Sequence, residues 1–243
     1  LIIGTGFHAR RIYIPAMFRF AKKTGFKLIL GVDLVNQRET VEKYLIEKKF
    51  ELPMKYIEPF EGENLPPELD NELSSFVKKN KVEGVIISTE PLFHKCYAMW
   101  ALRNGLNVLM DKPITAHKNV TWNQERINLI GKDYDDIFSA YQNIQNTKKT
   151  IFTVNTQRRY HLGFQKVFDL IRETADQFNA PVTSIQSTHE DGQWFLPEEI
   201  STRVCHPLNQ GYGKCFHSGY HLTDIINMFY NSGKIEEKFA DSA

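Results

Sequence analysis

Three features that define whole classes of protein are scarce in this sequence of 243 residues: cysteine, long apolar runs and an excess of one charge. Three cysteines build no disulfide framework, so a reducing cytoplasm is the expected location. No apolar run approaches the about 20 residues that a membrane-spanning helix requires. Lys plus Arg number 30 and Asp plus Glu 29, so no global field favours nucleic acid or an anionic membrane. We therefore expect no nucleic-acid partner and no membrane partner, and instead a small-molecule substrate.

The proportions of hydrophobic and charged residues are typical of a globular protein. Hydrophobic residues make up 42% and charged residues 24%, which excludes a mostly disordered chain. The length suits one large domain or two ordinary ones. The sequence begins at Leu1, within an apolar run, and ends at Ala243 after a short polar stretch. We therefore expect the last domain to be incomplete.

Strand and helix signals alternate along the first 110 residues. Helical patterns separate short apolar runs that read as buried strands at 1–3, 27–32, 54–57, 84–88 and 107–110. Strands separated by helices of this length form right-handed βαβ units. The pattern predicts an α/β fold with a doubly wound parallel sheet.

The pattern changes after Pro113. A polar, mostly helical stretch at 119–145 precedes a strand at 150–155, an amphipathic helix at 162–178, an alternating strand at 181–189 and a helix at 217–230. We therefore predict a dinucleotide-binding domain over residues 1–116 and a second α/β domain over 117–243.

A glycine-rich turn follows the first strand. The segment GTGFHA at residues 4–9 fits G-x-G-x-x-A, in which Gly4 permits a tight turn and Gly6 lets a pyrophosphate approach the backbone. Ala9 allows close packing of the next helix, whose N-terminus offers N–H groups to phosphates. Asp33 ends the second strand and lies 27 residues after Gly6, where an acidic residue accepts hydrogen bonds from ribose hydroxyls.

These features favour NAD as the cofactor. A carboxylate at Asp33 would repel the 2′-phosphate of NADP, although Arg38 is near enough in sequence to keep NADP open. A glycine turn in an unrelated α/β protein is the alternative to a nucleotide site.

Two further segments follow predicted strands, STEPLFH at 88–94 and DKP at 111–113. Open parallel sheets bind ligands at the carboxyl ends of their strands. A lysine there can hydrogen-bond a substrate hydroxyl, although Lys112 alone would more simply be a solvated loop residue. The candidate cofactor-binding residues are Gly4, Thr5, Gly6, Phe7, His8, Asp33, Ser88, Thr89, Glu90, His94, Asp111 and Lys112.

The motifs GTGFHA, STEPLFH, NVLMDKP, RRY and HSGYHLTD occur in an order that resembles the glucose–fructose oxidoreductase/inositol dehydrogenase (Gfo/Idh/MocA) family. The resemblance extends over nearly the full sequence. It implies a Rossmann domain and a second α/β domain with a largely antiparallel open sheet, whose open face makes homo-oligomers, dimers or tetramers. It also implies NAD(P)-dependent hydride transfer at a hydroxyl-bearing carbon of a sugar, a cyclitol or a derivative.

The same resemblance implies roles for individual residues. Lys112 matches the catalytic lysine of the family's E-K-P motif, with Asp111 in place of the glutamate. Arg159 lies in the segment that lines the family's active site and is expected to bind substrate.

The last motif departs from the family pattern D-x-G-x-H-x-x-D. Gly219, His221 and Asp224 match, whereas His217 stands where an aspartate is usual. His221 is the expected proton acceptor, because imidazole titrates near neutrality. We assign His217 to the catalytic and substrate-binding set together with Lys112 and His221, and we expect Lys112 and His221 to serve one proton transfer.

Several alternatives remain open. His217 and His221 are four residues apart and could bind a metal with Cys205, His206 or Cys215, but adjacent ligands suit one tetrahedral centre poorly, so we predict no metal. A non-catalytic relative that senses NAD or sugar, and a reductase of imines or tetrapyrroles, would share the fold.

One cluster outside the motifs is acidic. We expect Asp133, Asp135 and Asp136 to form a solvated face, and His117 to be a packing or surface residue.

Overall fold

The computed structural model describes residues 1–188, 197–202, 208–213 and 215–234. The chain divides into two compact units, Leu1–Asn155 and Thr156–Ala243. The first unit contains one parallel sheet, whose strands are β1 (Ile2–Ile3), β2 (Gly31–Leu34), β3 (Met54–Ile57), β4 (Gly84–Ile87), β5 (Asn107–Met110) and β6 (Phe152–Val154). Their order is β3-β2-β1-β4-β5-β6. The strand order reverses between β1 and β4, where doubly wound sheets bind nucleotides.

Helices connect these strands as the alternating pattern predicts. They are α1 (Ile14–Thr24), which continues a π-helical turn at Ala9–Tyr13, α2 (Arg38–Lys48), α3 (Pro67–Lys79), α4 (His94–Arg103) and α5 (Gln124–Gln145). The predicted doubly wound parallel sheet is confirmed.

Both faces of the sheet are covered, which explains why its strands read as continuous apolar runs. Successive residues of one strand point to opposite faces. Ile3 and Ile87 belong to the core cluster that includes Trp100, whereas Ile2 and Ile86 pack into the cluster on the other face.

The first unit extends to Asn155 and not to the predicted boundary at 116/117. The reason is that α5 packs on α4, and β6 pairs in parallel with β5 through Val108 and Phe152. The strand signal at 150–155 therefore belongs to the sixth strand of the first sheet and not to the second domain.

The second unit is helical over its described residues. It contains a 3₁₀ turn (Gln157–Tyr160), α6 (Leu162–Phe178), α7 (Pro197–Thr202), a second 3₁₀ turn (Leu208–Gln210), a π-helical turn (Cys215–Gly219) and α8 (Tyr220–Ser232). Helix α6 packs against α8. Residues 181–188 form no strand, and His189 lies outside the described residues. The antiparallel sheet of this unit stays a prediction.

None of the described helices has the length and apolar character needed to cross a membrane.

Candidate functional site

The glycine loop between β1 and the first helix needs glycine at its first position for two reasons. Gly4 has a φ of +83°, a conformation that side chains disfavour, and a Cβ there would lie 2.5 Å from the carbonyl oxygen of Ser88. By contrast, a Cβ at Gly6 would meet nothing within 4 Å. The loop thus packs tightly against the end of β4 at Gly4 and leaves its backbone open at Gly6. A dinucleotide pyrophosphate fits this arrangement, because Gly6 leaves room for it.

Asp33 holds this loop in place. Its Oδ2 accepts a hydrogen bond of 2.8 Å from the backbone N–H of Thr5 and another from the Thr5 hydroxyl, and its Oδ1 accepts one of 2.7 Å from the N–H of Leu34. Thr5 is fully buried. An ionised carboxylate has about four acceptor positions, so about one is left for a ribose hydroxyl. The residue predicted as a ribose ligand is therefore also the anchor of the glycine loop.

Arg38 lies at the same edge of the sheet. Its guanidinium carbon is 4.8 Å from the centre of the Tyr56 ring, a cation–π contact. Tyr56 pairs with Asp33 across β2 and β3. The edge that would hold the adenosine ribose thus carries one carboxylate and one guanidinium.

Asp111 follows β5 and faces the start of the first helix. Its Oδ1 accepts a hydrogen bond of 2.8 Å from the N–H of Lys112, and its Oδ2 lies 3.9 Å from Nε2 of His8. The Lys112-Pro113 peptide bond is cis. The glycine loop and the predicted catalytic lysine therefore lie at the same end of the sheet.

Tyr13 and Asn155 complete this corner. The side-chain amide of Asn155 donates a hydrogen bond of 2.6 Å to the hydroxyl oxygen of Tyr13. Burial and the nearby Asp111 carboxylate raise the pKa of Tyr13, so the phenol stays protonated and can donate to Asp111. No pattern in the sequence distinguishes Tyr13 from an ordinary core residue of its helix.

His94 lies beneath the loops and is not presented to solvent. Its ring is fully buried, with Nδ1 2.7 Å from the carbonyl oxygen of Pro113 and Nε2 3.1 Å from that of Thr89. Burial lowers the pKa of His94 and favours the neutral ring. His94 was predicted to bind the cofactor, but this position makes it a support for the segments after β4 and β5.

Glu90 also has a partner within the protein. One of its carboxylate oxygens accepts a hydrogen bond of 2.8 Å from the N–H of Leu92 and caps the 3₁₀ turn Pro91–Phe93. Of the predicted cofactor residues, those at the carboxyl ends of β1, β2, β4 and β5 are brought to one edge: Gly4, Thr5, Gly6, Asp33, Ser88, Thr89, Asp111 and Lys112. Phe7 follows the loop glycines and is 61% exposed.

The expectation of a solvated acidic face is wrong for Asp133. Its side chain is only 5% exposed and contacts Nζ of Lys95 at 2.6 Å, the hydroxyl of Thr115 at 2.7 Å and Nε2 of His117 at 2.8 Å. Burial alone would raise the pKa of Asp133, but these hydrogen bonds outweigh it and lower the pKa. Lys95 also contacts Asp136 at 2.7 Å, so α4, α5 and the segment after Pro113 share one charged network.

The second unit holds the remaining candidates. Arg159 makes a two-pronged ion pair with Asp224, with 3.0 Å between Nε and Oδ2, so its guanidinium joins the turn at Gln157–Tyr160 to α8. His221 is buried on α8 and makes an edge contact with the Tyr220 ring.

Other candidates of this unit cannot be placed. The His217 side chain and residues Cys205 and His206 lie outside the described part. Within the part of the chain that is described, no group of three or more His, Cys, Asp or Glu side chains could hold a metal ion.

Comparison with known proteins adds to this geometry. The model of the family described as "Oxidoreductase family, NAD-binding Rossmann fold" matches residues 1–130. No curated protein sequence matches the chain.

Similar solved structures show the same fold at low sequence identity. They include an aldose-aldose oxidoreductase from Caulobacter crescentus complexed with glycerol (TM-score 0.57, 16% identity, 95% of this chain and 56% of that chain covered). A WlbA (WbpB) dehydrogenase from Thermus thermophilus in complex with NAD and alpha-ketoglutarate has a TM-score of 0.57 and 14% identity, with 94% and 61% covered. An oxidoreductase domain protein from Kribbella flavida has a TM-score of 0.56 and 14% identity, with 95% and 51% covered. The present chain thus spans little more than half the length of these proteins.

Proposed function

Since this chain belongs to the oxidoreductase family with an NAD-binding Rossmann fold, we propose that it transfers a hydride between nicotinamide and a hydroxyl-bearing carbon of a small substrate. The substrate is a sugar, a cyclitol or a derivative of one. This class rests on the order of the five sequence motifs and on the lysine after β5.

The observation that carries the proposal is the glycine loop at the carboxyl edge of the sheet. Its first glycine is required by backbone conformation and by contact with Ser88, and its second leaves the loop open. Asp33 fixes the loop through Thr5 and keeps about one acceptor position for a ribose hydroxyl. This is the chemistry that an adenine dinucleotide needs at its phosphate and ribose groups.

NAD supplies the hydride acceptor when it is bound. Lys112 orients the substrate hydroxyl and stabilises the charge that develops on its oxygen as the proton leaves. Asp111 fixes the backbone of Lys112 by accepting its N–H, and the buried hydroxyl of Tyr13 can donate to Asp111. In this proposal these two residues hold the start of the Lys112 turn in one orientation.

The proposal assigns the proton to His221, because a neutral imidazole has a ring nitrogen that can accept it. We also propose that Arg159, which lies beside α8, binds substrate, although its guanidinium is paired with Asp224. His217 is proposed as a residue that selects substrate, because its imidazole replaces the fixed negative charge of the usual aspartate.

A homo-oligomer in the cytoplasm completes the proposal. Three cysteines suit a reducing compartment. Light scattering coupled to size exclusion would report a dimer or tetramer, and a monomer at all concentrations would oppose this part.

A substrate screen tests the proposal. Purified protein is mixed with NAD or NADP and a panel of sugars and cyclitols, and nicotinamide absorbance is followed. We expect reduction of NAD by at least one polyol and a rate that falls strongly in Lys112→Ala. Tight NADH binding with no turnover on any member would favour a sensor of NAD or sugar instead.

A further inference from the structure

The segment from Pro113 to His117 follows the proposed catalytic lysine directly and is held at two points, one on α4 and one on α5. His94 contacts the carbonyl of Pro113, and its neighbour Lys95 contacts Asp133, which binds Thr115 and His117. His94 of α4 therefore holds one end of a five-residue segment, and Asp133 of α5, which is itself bound by Lys95, holds the other. We call residues 113–117 the strap.

The first attachment is short and buried. The Pro113 carbonyl lies 2.7 Å from Nδ1 of His94, the shorter of the two contacts that this ring makes. A neutral imidazole has one N–H and donates only one hydrogen bond, and the shorter contact is the better position for it. The Pro113 carbonyl belongs to the peptide between Pro113 and Ile114, so this bond fixes the peptide plane that begins one residue after Lys112.

The second attachment is a buried carboxylate with three partners. Asp133 accepts from the Thr115 hydroxyl and contacts His117 and Lys95, and its side chain is only 5% exposed. Loss of one partner leaves buried polar groups unsatisfied, so this end of the strap has one strongly preferred position. Neither attachment is needed to close the sheet, because β5 ends at Met110, before Lys112.

We propose that His94 and Thr115 are positioning residues for Lys112, acting through the strap. This inference rests on the proposed function for its consequence in catalysis, but the geometric claim concerns Lys112 alone. A positioning residue acts by placing another group, and small displacements of a reacting group reduce turnover by about 10–100-fold.

The test uses pairs of variants that differ in one hydrogen bond. The amide nitrogen of an asparagine side chain occupies about the position of the histidine Nδ1, so His94→Asn keeps a donor toward the Pro113 carbonyl. His94→Gln places its amide near the Nε2 position, so it loses that donor. Thr115→Ser keeps the hydroxyl for Asp133, and Thr115→Val removes it. Ser74→Ala is the matched control, because Ser74 accepts from Trp100 at the other end of α4.

The readout is the position of Lys112 itself, independent of any substrate. Reductive methylation with ¹³C-formaldehyde gives each lysine an NMR signal, and the Lys112 signal is the one missing in Lys112→Arg. We expect it to keep its wild-type shift in His94→Asn, Thr115→Ser and Ser74→Ala. In His94→Gln and Thr115→Val it should move toward the shift shared by exposed lysines, and with an active substrate kcat should fall about 10–100-fold at nearly constant KM.

The outcomes separate the two proposals. An unchanged Lys112 signal in both His94→Gln and Thr115→Val overturns the positioning role, whatever the enzyme does with NADH. A shifted signal in a protein that neither binds NADH nor turns over a polyol supports the positioning role and refutes the proposed function. If His94→Gln does not fold, Thr115→Val against Thr115→Ser decides the question.

Discussion

Thr5 and Asp33 are joined by two hydrogen bonds, since the Asp33 carboxylate accepts both the backbone N–H and the hydroxyl of Thr5. The two residues are 28 positions apart: Thr5 lies in the loop after β1, and Asp33 lies on β2. This contact couples the acidic end of β2 to the conformation of the glycine loop.

Removal of the Thr5 hydroxyl tests this coupling. Thr5→Val keeps the volume of the side chain but loses a charge-assisted hydrogen bond in a fully buried position. We expect the free energy of unfolding to fall by about 1–3 kcal/mol and NADH affinity to fall with it. Thr5→Ser serves as the control that restores the hydroxyl. Urea unfolding and NADH fluorescence titration give both quantities, and equal stability of Thr5→Val and wild type would argue against the coupling.

Cofactor preference follows from two charges, that of Asp33 on β2 and that of Arg38 at the start of α2. Asp33 repels a 2′-phosphate, so NADH should bind more tightly than NADPH. Arg38→Ala should reduce whatever NADPH affinity remains and leave NADH affinity nearly unchanged. Competition titrations with the two reduced cofactors measure the ratio. Equal or tighter NADPH binding in wild type would show that Arg38 dominates this edge.

The two glycines of the loop should respond differently to one added methyl group. Gly4→Ala combines a positive φ with a Cβ 2.5 Å from Ser88 O, so we expect a loss of stability above about 1 kcal/mol. Gly6→Ala meets no protein atom within 4 Å. It should keep wild-type stability while weakening NADH binding, since its methyl group occupies the approach of the pyrophosphate. Thermal unfolding and NADH titration of both variants test this, and undiminished affinity in Gly6→Ala would remove the pyrophosphate from this loop.

Acid stability should depend on Asp133. Its pKa is lowered in the folded state, so its contribution is present above the ordinary carboxyl pKa and is lost as pH falls through the folded value. Asp133→Asn removes this contribution, and we expect its free energy of unfolding at neutral pH to be about 3 kcal/mol lower than that of wild type. Below about pH 4, the free energy of unfolding should fall less steeply with pH in Asp133→Asn than in wild type. Urea unfolding at several pH values measures how the free energy of unfolding of each protein changes with pH. Parallel slopes would mean that Asp133 titrates alike in both states.

Much of the first sheet could be predicted because its strands are short apolar runs between helices of regular period. The motif order also predicted the family, which the match over residues 1–130 confirms. The sixth strand was recognised as a strand but assigned to the wrong unit. The pattern of side chains predicts whether a segment is a strand or a helix. It does not predict which strand it pairs with, and the pairing of β6 with β5 depends on tertiary contacts.

The placement of Gly4, Gly6 and Asp33 at one edge of the sheet was predictable, because it follows from the order and spacing of strands and loops. The site was not predictable where contacts join distant parts of the chain. Asn155 and Tyr13 are 142 positions apart, and no spacing in the sequence joins them. Asp133 was misread because an acidic residue on a helix is normally solvated, and only the fold brings Lys95 to it.

The most direct test of the account is the rate of hydride transfer from the best polyol of the screen in wild type and in Lys112→Ala. If Lys112 orients the reacting hydroxyl, its loss acts in the transition state. We expect kcat to fall by about 10²–10⁴-fold while NADH affinity stays within about twofold. His221→Ala should lose rate by a similar factor if His221 accepts the proton. A Lys112→Ala protein that turns over at the wild-type rate would contradict the account.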